Sequence, residues 1–214
     1  LISFTGIDTI LPFVIGALVL AIATIPIFFV KDENIEGEDE DPLSVIGFIR
    51  KAPILLIAVG MFAVIDAANL SFLPVYGVKK GLDQATASLA LTAFIVGNTV
   101  LQFPIGWLAD HFRKRWVMAG CGVVTACASA LLPLSFETWA FWPLLTITGA
   151  ASAGIYTVSL AELGERFSGH ELVTGTASFS TTWGLGALLG SLIAGGSRHS
   201  FGADGLPYSM ALIF

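Results

Sequence analysis

Along this chain the apolar residues come in long unbroken blocks, and the charged ones are crowded into short strips between them. Positions 9–30, 84–109, 116–136, 138–161 and 172–197 hold no Asp, Glu, Lys or Arg, and 52–78 holds only Asp66. Each block reaches the roughly 20 residues that a helix needs to cross the hydrocarbon core of a bilayer. Lipid supplies no partner for backbone N–H and C=O groups, so a spanning block has to bond to itself as helix. The pattern therefore predicts helices over 7–30, 53–76, 85–108, 116–134, 139–163, 173–195 and from 206 onward. The last, "LPYSMALIF", stops after only a few turns, and the chain opens in the apolar "LISF" without a Met. The expectation is an excerpt of a longer polytopic protein: an all-α integral membrane bundle of six full transmembrane helices and a truncated seventh.

Composition agrees with the pattern and changes one detail. The chain is 55% hydrophobic and 12% charged, against about a quarter charged in soluble globular domains. The formal net charge is -6, but seven of the sixteen acids fall within 31–41, so the acidity is local. It does not describe a surface for a basic partner, and no nucleic-acid partner is expected. The acidic strip opens the long connection 31–52, "KDENIEGEDEDPLSVIGFIRKA", whose second part has the pattern of a short amphipathic helix at the membrane interface. The other connections are short and force successive helices antiparallel. The expected organisation is a last helix of an amino-terminal half over 1–30, an acidic cytoplasmic loop between halves over 31–52, and a carboxy-terminal bundle over 53–214.

Basic residues in short loops orient a membrane protein, with acids contributing little. Lys31, Arg50, Lys51, Arg113, Lys114, Arg115 and Arg166 fall in connections on one side, whereas Lys79, Lys80 and Arg198 fall on the other. The first set is expected to face the cytoplasm.

Little in the chain suggests covalent or metal chemistry. Cys121 and Cys127 lie six residues apart in one apolar block, which points them to different faces of a helix. His111, His170 and His199 fall in connections without metal-site spacing. There is no nucleophile elbow, phosphate loop or carboxylate pair, so no catalytic residue, metal or cofactor is expected.

One strip carries more than topology. "GWLADHFRKR", residues 106–115, packs Asp110, His111, Arg113, Lys114 and Arg115 behind 26 residues free of Asp, Glu, Lys and Arg. Gly106, Leu108, Ala109, Asp110, Lys114 and Arg115 stand in an order that resembles the loop motif of the major facilitator superfamily, roughly G-x-L-A-D-R-x-G-R-R/K. His111 stands where Arg is common, and Arg113 replaces the second glycine. The helix count, loop spacing and central linker extend the resemblance over essentially the whole chain. Locally it is similar to bacterial carriers of the YcaD type at "LPVYGVKKGL", "QFPIGWLAD", "GIYTVSLAELGERF" and "WGLGALLGS". The resemblance implies the inner (plasma) membrane of a bacterium and a secondary active transporter of a small-molecule solute, working by alternating access with the amino-terminal half of the same protein. It implies that Gly106, Asp110, Arg113, Lys114 and Arg115 form a conformational latch, with the helix facing Asp110 upstream of Leu1.

In such a fold, cargo binds near the bilayer midplane between the halves. Polar side chains midway along helices are thus the candidates for a substrate or proton pathway: Asp66 with Asn69 one turn on, Asn98 and Gln102 at i, i+4, Tyr156, Thr157 and Trp183. A carboxylate in mid-bilayer costs several kcal/mol on insertion scales unless it faces a cavity or partner, so Asp66 reads as functional, with Asn69 helping to hold it. The others have a plainer reading, as hydrogen bonds between helices worth about 0.6 kcal/mol each, or as packing aromatics. Gly184, Gly186 and Gly190, with Gly149 and Gly154, read as sites of close helix packing. The rival classes are a non-transporting receptor or scaffold with the same fold, and an integral membrane enzyme; the latter would need a convergent set of reactive groups that the chain lacks.

Overall fold

The computed structural model describes residues 11–25, 45–201 and 204–213, and among them every regular element is a helix. The chain divides into two compact units, Leu1–Glu38 and Asp39–Phe214. The first contains α1, Leu11–Thr24, an entirely apolar helix but for its last residue. The ends of the helix expected over 7–30, and the acidic strip 31–44, lie outside the described residues.

The second unit begins with α2, Val45–Lys51, in the half of the long connection expected to be amphipathic. It is followed by α3, Pro53–Lys79, and α4, Gln84–Val100. Next come α5, Gln102–His111, α6, Lys114–Ser135, and α7, Phe141–Arg166. The last two are α8, Gly169–Phe201, and α9, Gly205–Ile213. Among the described residues, five stretches are long and apolar enough to cross a membrane: Pro53–Lys79, Gln84–His111, Lys114–Ser135, Phe141–Arg166 and Gly169–Ser197.

Local chemistry sets the boundaries. Pro53 occupies the first turn of α3, where its missing N–H would be unpaired in any residue. Asp83 caps α4 by accepting from the backbone N–H groups of Ala85 and Thr86, both at 3.1 Å. The helix expected as one piece over 85–108 is interrupted at Leu101. Pro104 is the cause: it has no N–H to donate to Val100, and its ring crowds that carbonyl. Helix α5 therefore departs from α4 as a separate segment.

The most extensive helix pairings are α3 with α8, α4 with α7, and α6 with α7. Small residues make the first two possible. A Cβ on Gly190 would strike the carbonyl of Val64, and one on Gly186 would lie 2.7 Å from the Cβ of Ala63. A Cβ on Gly97 would strike the carbonyl of Thr146, and one on Gly149 that of Phe94. These backbones approach as closely as small residues allow in lipid-embedded helices. A Cβ on Gly154 would lie 2.9 Å from the side-chain end of Ile105, a milder conflict, while Gly184 faces open space and needs no such explanation.

Two apolar cores result. One gathers Phe48, Leu55, Val59, Val117, Val158 and Leu163; the other gathers Ile65, Leu73, Phe94, Leu132, Phe141 and Leu145. Along α3 the junction between them falls just before Asp66. Helix α2 belongs to the first core. Its Phe48 is wholly buried, lies 5.0 Å from the Phe167 ring and fills the space that Gly175 of α8 leaves beside it.

Candidate functional site

Midway along α3, Asp66 is 8% exposed. The Nδ2 of Asn98 on α4 donates to its Oδ1 at 3.3 Å, and the Nε2 of Gln102 donates in turn to the Oδ1 of Asn98 at 3.3 Å. Gln102 opens α5, so this amide pair spans the interruption that Pro104 creates. Among the described residues no Lys or Arg pairs with Asp66. An acid met only by neutral amides in an apolar surround is poised to hold a proton or face a cation, because either would remove the cost of an unpaired buried charge.

The remaining pathway candidates are placed elsewhere. Asn69 is 2% exposed, but its Nδ2 donates to the carbonyl of Ile65 at 3.1 Å and meets the Sδ of Met210 on α9 at 3.3 Å. The amide beside Asp66 is that of Asn98. Tyr156 is half-buried with its ring 5.3 Å from Phe62. The Oγ1 of Thr157 donates within its own helix, to Ala153 at 3.1 Å. Trp183 on α8 is 40% exposed.

The latch candidates form the turn between α5 and α6. Phe112 and Arg113 are extended there, and Arg113, at φ -62°, adopts a conformation open to any residue. The turn therefore does not require the glycine that Arg113 replaces. A side chain at Gly106 would meet nothing within 4 Å. His111 sits against Trp107 with ring centroids 4.3 Å apart, its Nδ1 within 2.8 Å of the Trp107 carbonyl. Lys114 forms an ion pair with Glu165 of α7, and Arg166 pairs with Glu162 one turn back. Asp110, Arg113 and Arg115 make no ion pair among the described residues. All five charges of the 110–115 strip except His111 line one polar cleft with Glu162, Glu165 and Arg166. Next to it, Lys51 pairs with Glu171 and so ties the end of α2 to the start of α8.

Sequence reasoning did not identify Glu165 and Glu171 as partners. The spacing of Glu162 and Glu165 at i, i+3, which puts both on one helix face, was the available signal. It also did not single out the opposite end of the bundle. There Lys80 meets Asp204 at 2.7 Å, the Tyr76 hydroxyl donates to Asp204 at 3.2 Å, and the Lys80 Nζ lies 5.9 Å from the Phe136 ring. Beside it, outside the spans, hydrogen bonds from Thr86, then from Ala85, hold the Asp83 carboxyl below the usual aspartate range.

Comparison with known proteins meets this geometry at the level of family. A family model described as Major Facilitator Superfamily matches residues 70–214. The chain is 23% identical over 210 residues to the "Uncharacterized MFS-type transporter YfkF" of Bacillus subtilis, covering 94% of this chain and 53% of that protein. It is 26% identical over 208 residues to the "Uncharacterized MFS-type transporter YcaD" of Shigella flexneri, covering 96% and 53%. The protein of the same printed name in Escherichia coli strain K12 is 26% identical over 188 residues, covering 87% and 48%. The chain thus spans about half the length of the curated relatives it matches. No solved structure matches it. With its apolar helices of spanning length and a family match over most of its residues, the chain is an integral membrane protein that belongs to the Major Facilitator Superfamily.

Proposed function

We propose that this chain is the carboxy-terminal half of a secondary active transporter that moves a small solute across a bacterial inner membrane by alternating access. In this reading residues 1–30 end the amino-terminal half, 31–52 join the halves on the cytoplasmic side, and 53–214 form a bundle of full spans closed by a truncated one. The observation that carries it is the Asp66 carboxyl, buried halfway along α3 and bonded to Asn98 rather than to a cation. An ionisable group at such depth marks a substrate or proton path by default. Gain and loss of a proton at Asp66 changes what Asn98 and Gln102 can donate to, and so acts on the joint between α4 and α5 at Leu101. Asn69, Tyr156, Thr157 and Trp183 complete the path in this reading.

The basic turn is the access latch. Lys114 with Glu165 holds it to α7, and Asp110, without an ion pair among the described residues, faces the amino-terminal half in this reading. The names of the relatives, MFS-type transporters, support the same class.

The test uses the full-length protein in proteoliposomes, with a trapped pH indicator and a panel of organic cations, amino acids and sugars. At least one solute should produce flux that responds to an imposed pH gradient, and Asp66→Asn should reduce that response at least tenfold. Failure of every solute to cross would favour a receptor or scaffold that retains the fold. Unchanged pH response in Asp66→Asn would make Asp66 structural.

A further inference from the structure

The amino-terminal part of α6 is flanked on both sides by apolar grooves. One lies between α6 and the α4–α5 span, with Leu101, Pro104 and Ile105 facing Trp116, Gly120 and Val124 across a volume of about 560 Å³. The other lies between α6 and α3, with Ile54, Ile57 and Met61 facing Met118, Ala119 and Val123 across about 450 Å³. Both reach the same charged turn: Phe112 borders the first groove and the polar cleft, and Arg115 borders the second groove and that cleft.

The charges at this mouth leave a positive excess, since of the groups without an ion pair Asp110 offsets only one of Arg113 and Arg115. Glu165 is taken by Lys114 and Glu162 by Arg166. Arg113 and Arg115 are exposed and have no carboxylate partner among the described residues. Phe112 is 61% exposed and Trp116 71%, both at the border between the basic turn and the apolar helix. Aromatic side chains concentrate at that level of a bilayer, where headgroups begin. Basic clusters just outside a spanning helix attract anionic lipid.

We infer that this end of α6 binds an anionic phospholipid, its phosphate on Arg113 and Arg115 and its acyl chains along the two grooves. Charge complementarity selects the lipid over a protein helix, since the free cations stand at the mouth of grooves that are themselves wholly apolar in their depth. The inference does not rest on the transport reading; it requires only that the helices span a membrane.

The test is lipid retention by the full-length protein, extracted from nanodiscs of equal phosphatidylglycerol and phosphatidylcholine and weighed by native mass spectrometry. Retained phosphatidylglycerol should exceed phosphatidylcholine at least fivefold. The double variant Arg113→Gln, Arg115→Gln should bring the ratio to about one. Gly120→Leu blocks the first groove, because a Cβ there meets nothing within 4 Å and the side chain enters open space. It should lower retention of both lipids at least threefold while the melting temperature holds. Equal retention of the two lipids by the natural sequence would overturn the inference, as would an unchanged ratio in the double variant. A photo-crosslinker at Val124 that captures the amino-terminal half instead of lipid would overturn it too. If Gly120→Leu fails to fold, the arginine variant decides the question.

Discussion

The two ends of the helix bundle are fastened by different physics. At the basic end, among the described residues, two ion pairs, Lys51–Glu171 and Lys114–Glu165, cross between segments, with Glu165 65% and Lys51 44% exposed, while Arg166–Glu162 closes within α7. At the opposite end a single pair among the described residues, Lys80–Asp204, sits on an aromatic cluster in which Phe136 lies 5.6 Å from Tyr76 and 4.9 Å from Phe141. Each pair at the basic end has a partner in contact with water (Lys51, Glu165 and Arg166), and pairs open to water contribute about 1 kcal/mol or less and exchange readily with it. Buried aromatics contribute several times as much and cannot be loosened without opening a cavity. One end is thus built to be undone at little cost, and the other to stay shut. The proposed alternating access would call for such a difference, with one fastening whose strength matches a few kcal/mol of population shift.

The largest expected effect lies at the joint beneath the aromatic end. Gly149→Val should abolish folded protein, because its Cβ would occupy the position of the Phe94 carbonyl. Gly120→Val, in open space, should leave the yield unchanged. Size-exclusion profiles of both variants in detergent measure the difference, and a normal profile for Gly149→Val would refute the close approach of α4 and α7.

The comparison between the ends is sharpened by a pair of variants. Phe141→Ala, at a side chain only 2% exposed, should destabilise by about 3–5 kcal/mol. Glu165→Gln at the basic end should cost under about 1 kcal/mol. Thermal melts of the full-length protein rank the two. Should Glu165→Gln prove as damaging as Phe141→Ala, the basic end is a structural fastening and its part as a latch falls.

The smallest effect concerns Asp83, whose folded-state pKa is depressed by the bonds from Thr86 and Ala85. A depressed carboxylate contributes stability above its unfolded pKa, near 4, and loses that contribution as pH falls through the lower folded value. Asp83→Ala should lower the melting temperature by roughly 2–4 °C at neutral pH. The gap should close in acid, below about pH 4. Asp83→Asn, which still accepts from the two N–H groups, should keep most of the stability and lose its acid dependence. A gap that persists unchanged in acid would mean that the cap does not titrate.

Much of the architecture was legible before any coordinates. The boundaries of α3, α6 and α7 fall within three residues of those expected from charge-free blocks. Lipid leaves a spanning segment one way to satisfy its backbone, so hydropathy and helix coincide. The interruption at Leu101 was latent in Pro104 and was not drawn from it. Gly184, which belongs to the same local pattern as Gly186 and Gly190, faces open space, because spacing within one helix does not say which face meets a neighbour.

What the sequence by itself determined is therefore local: where apolar blocks run, where charges collect, and which motif places the chain in its family. Only the tertiary structure decided which groups meet. Asp66 and Asn98 are 32 residues apart and Lys51 and Glu171 are 120 apart. Asn69, one turn from Asp66 and the nearer amide in sequence, turned instead to Met210 on α9. The physical reason is that backbone hydrogen bonding fixes each helix from within, while helix packing depends on where small residues permit two backbones to touch. In this molecule those places are Gly97 and Gly149 for α4 on α7, and Gly186 and Gly190 for α8 on α3.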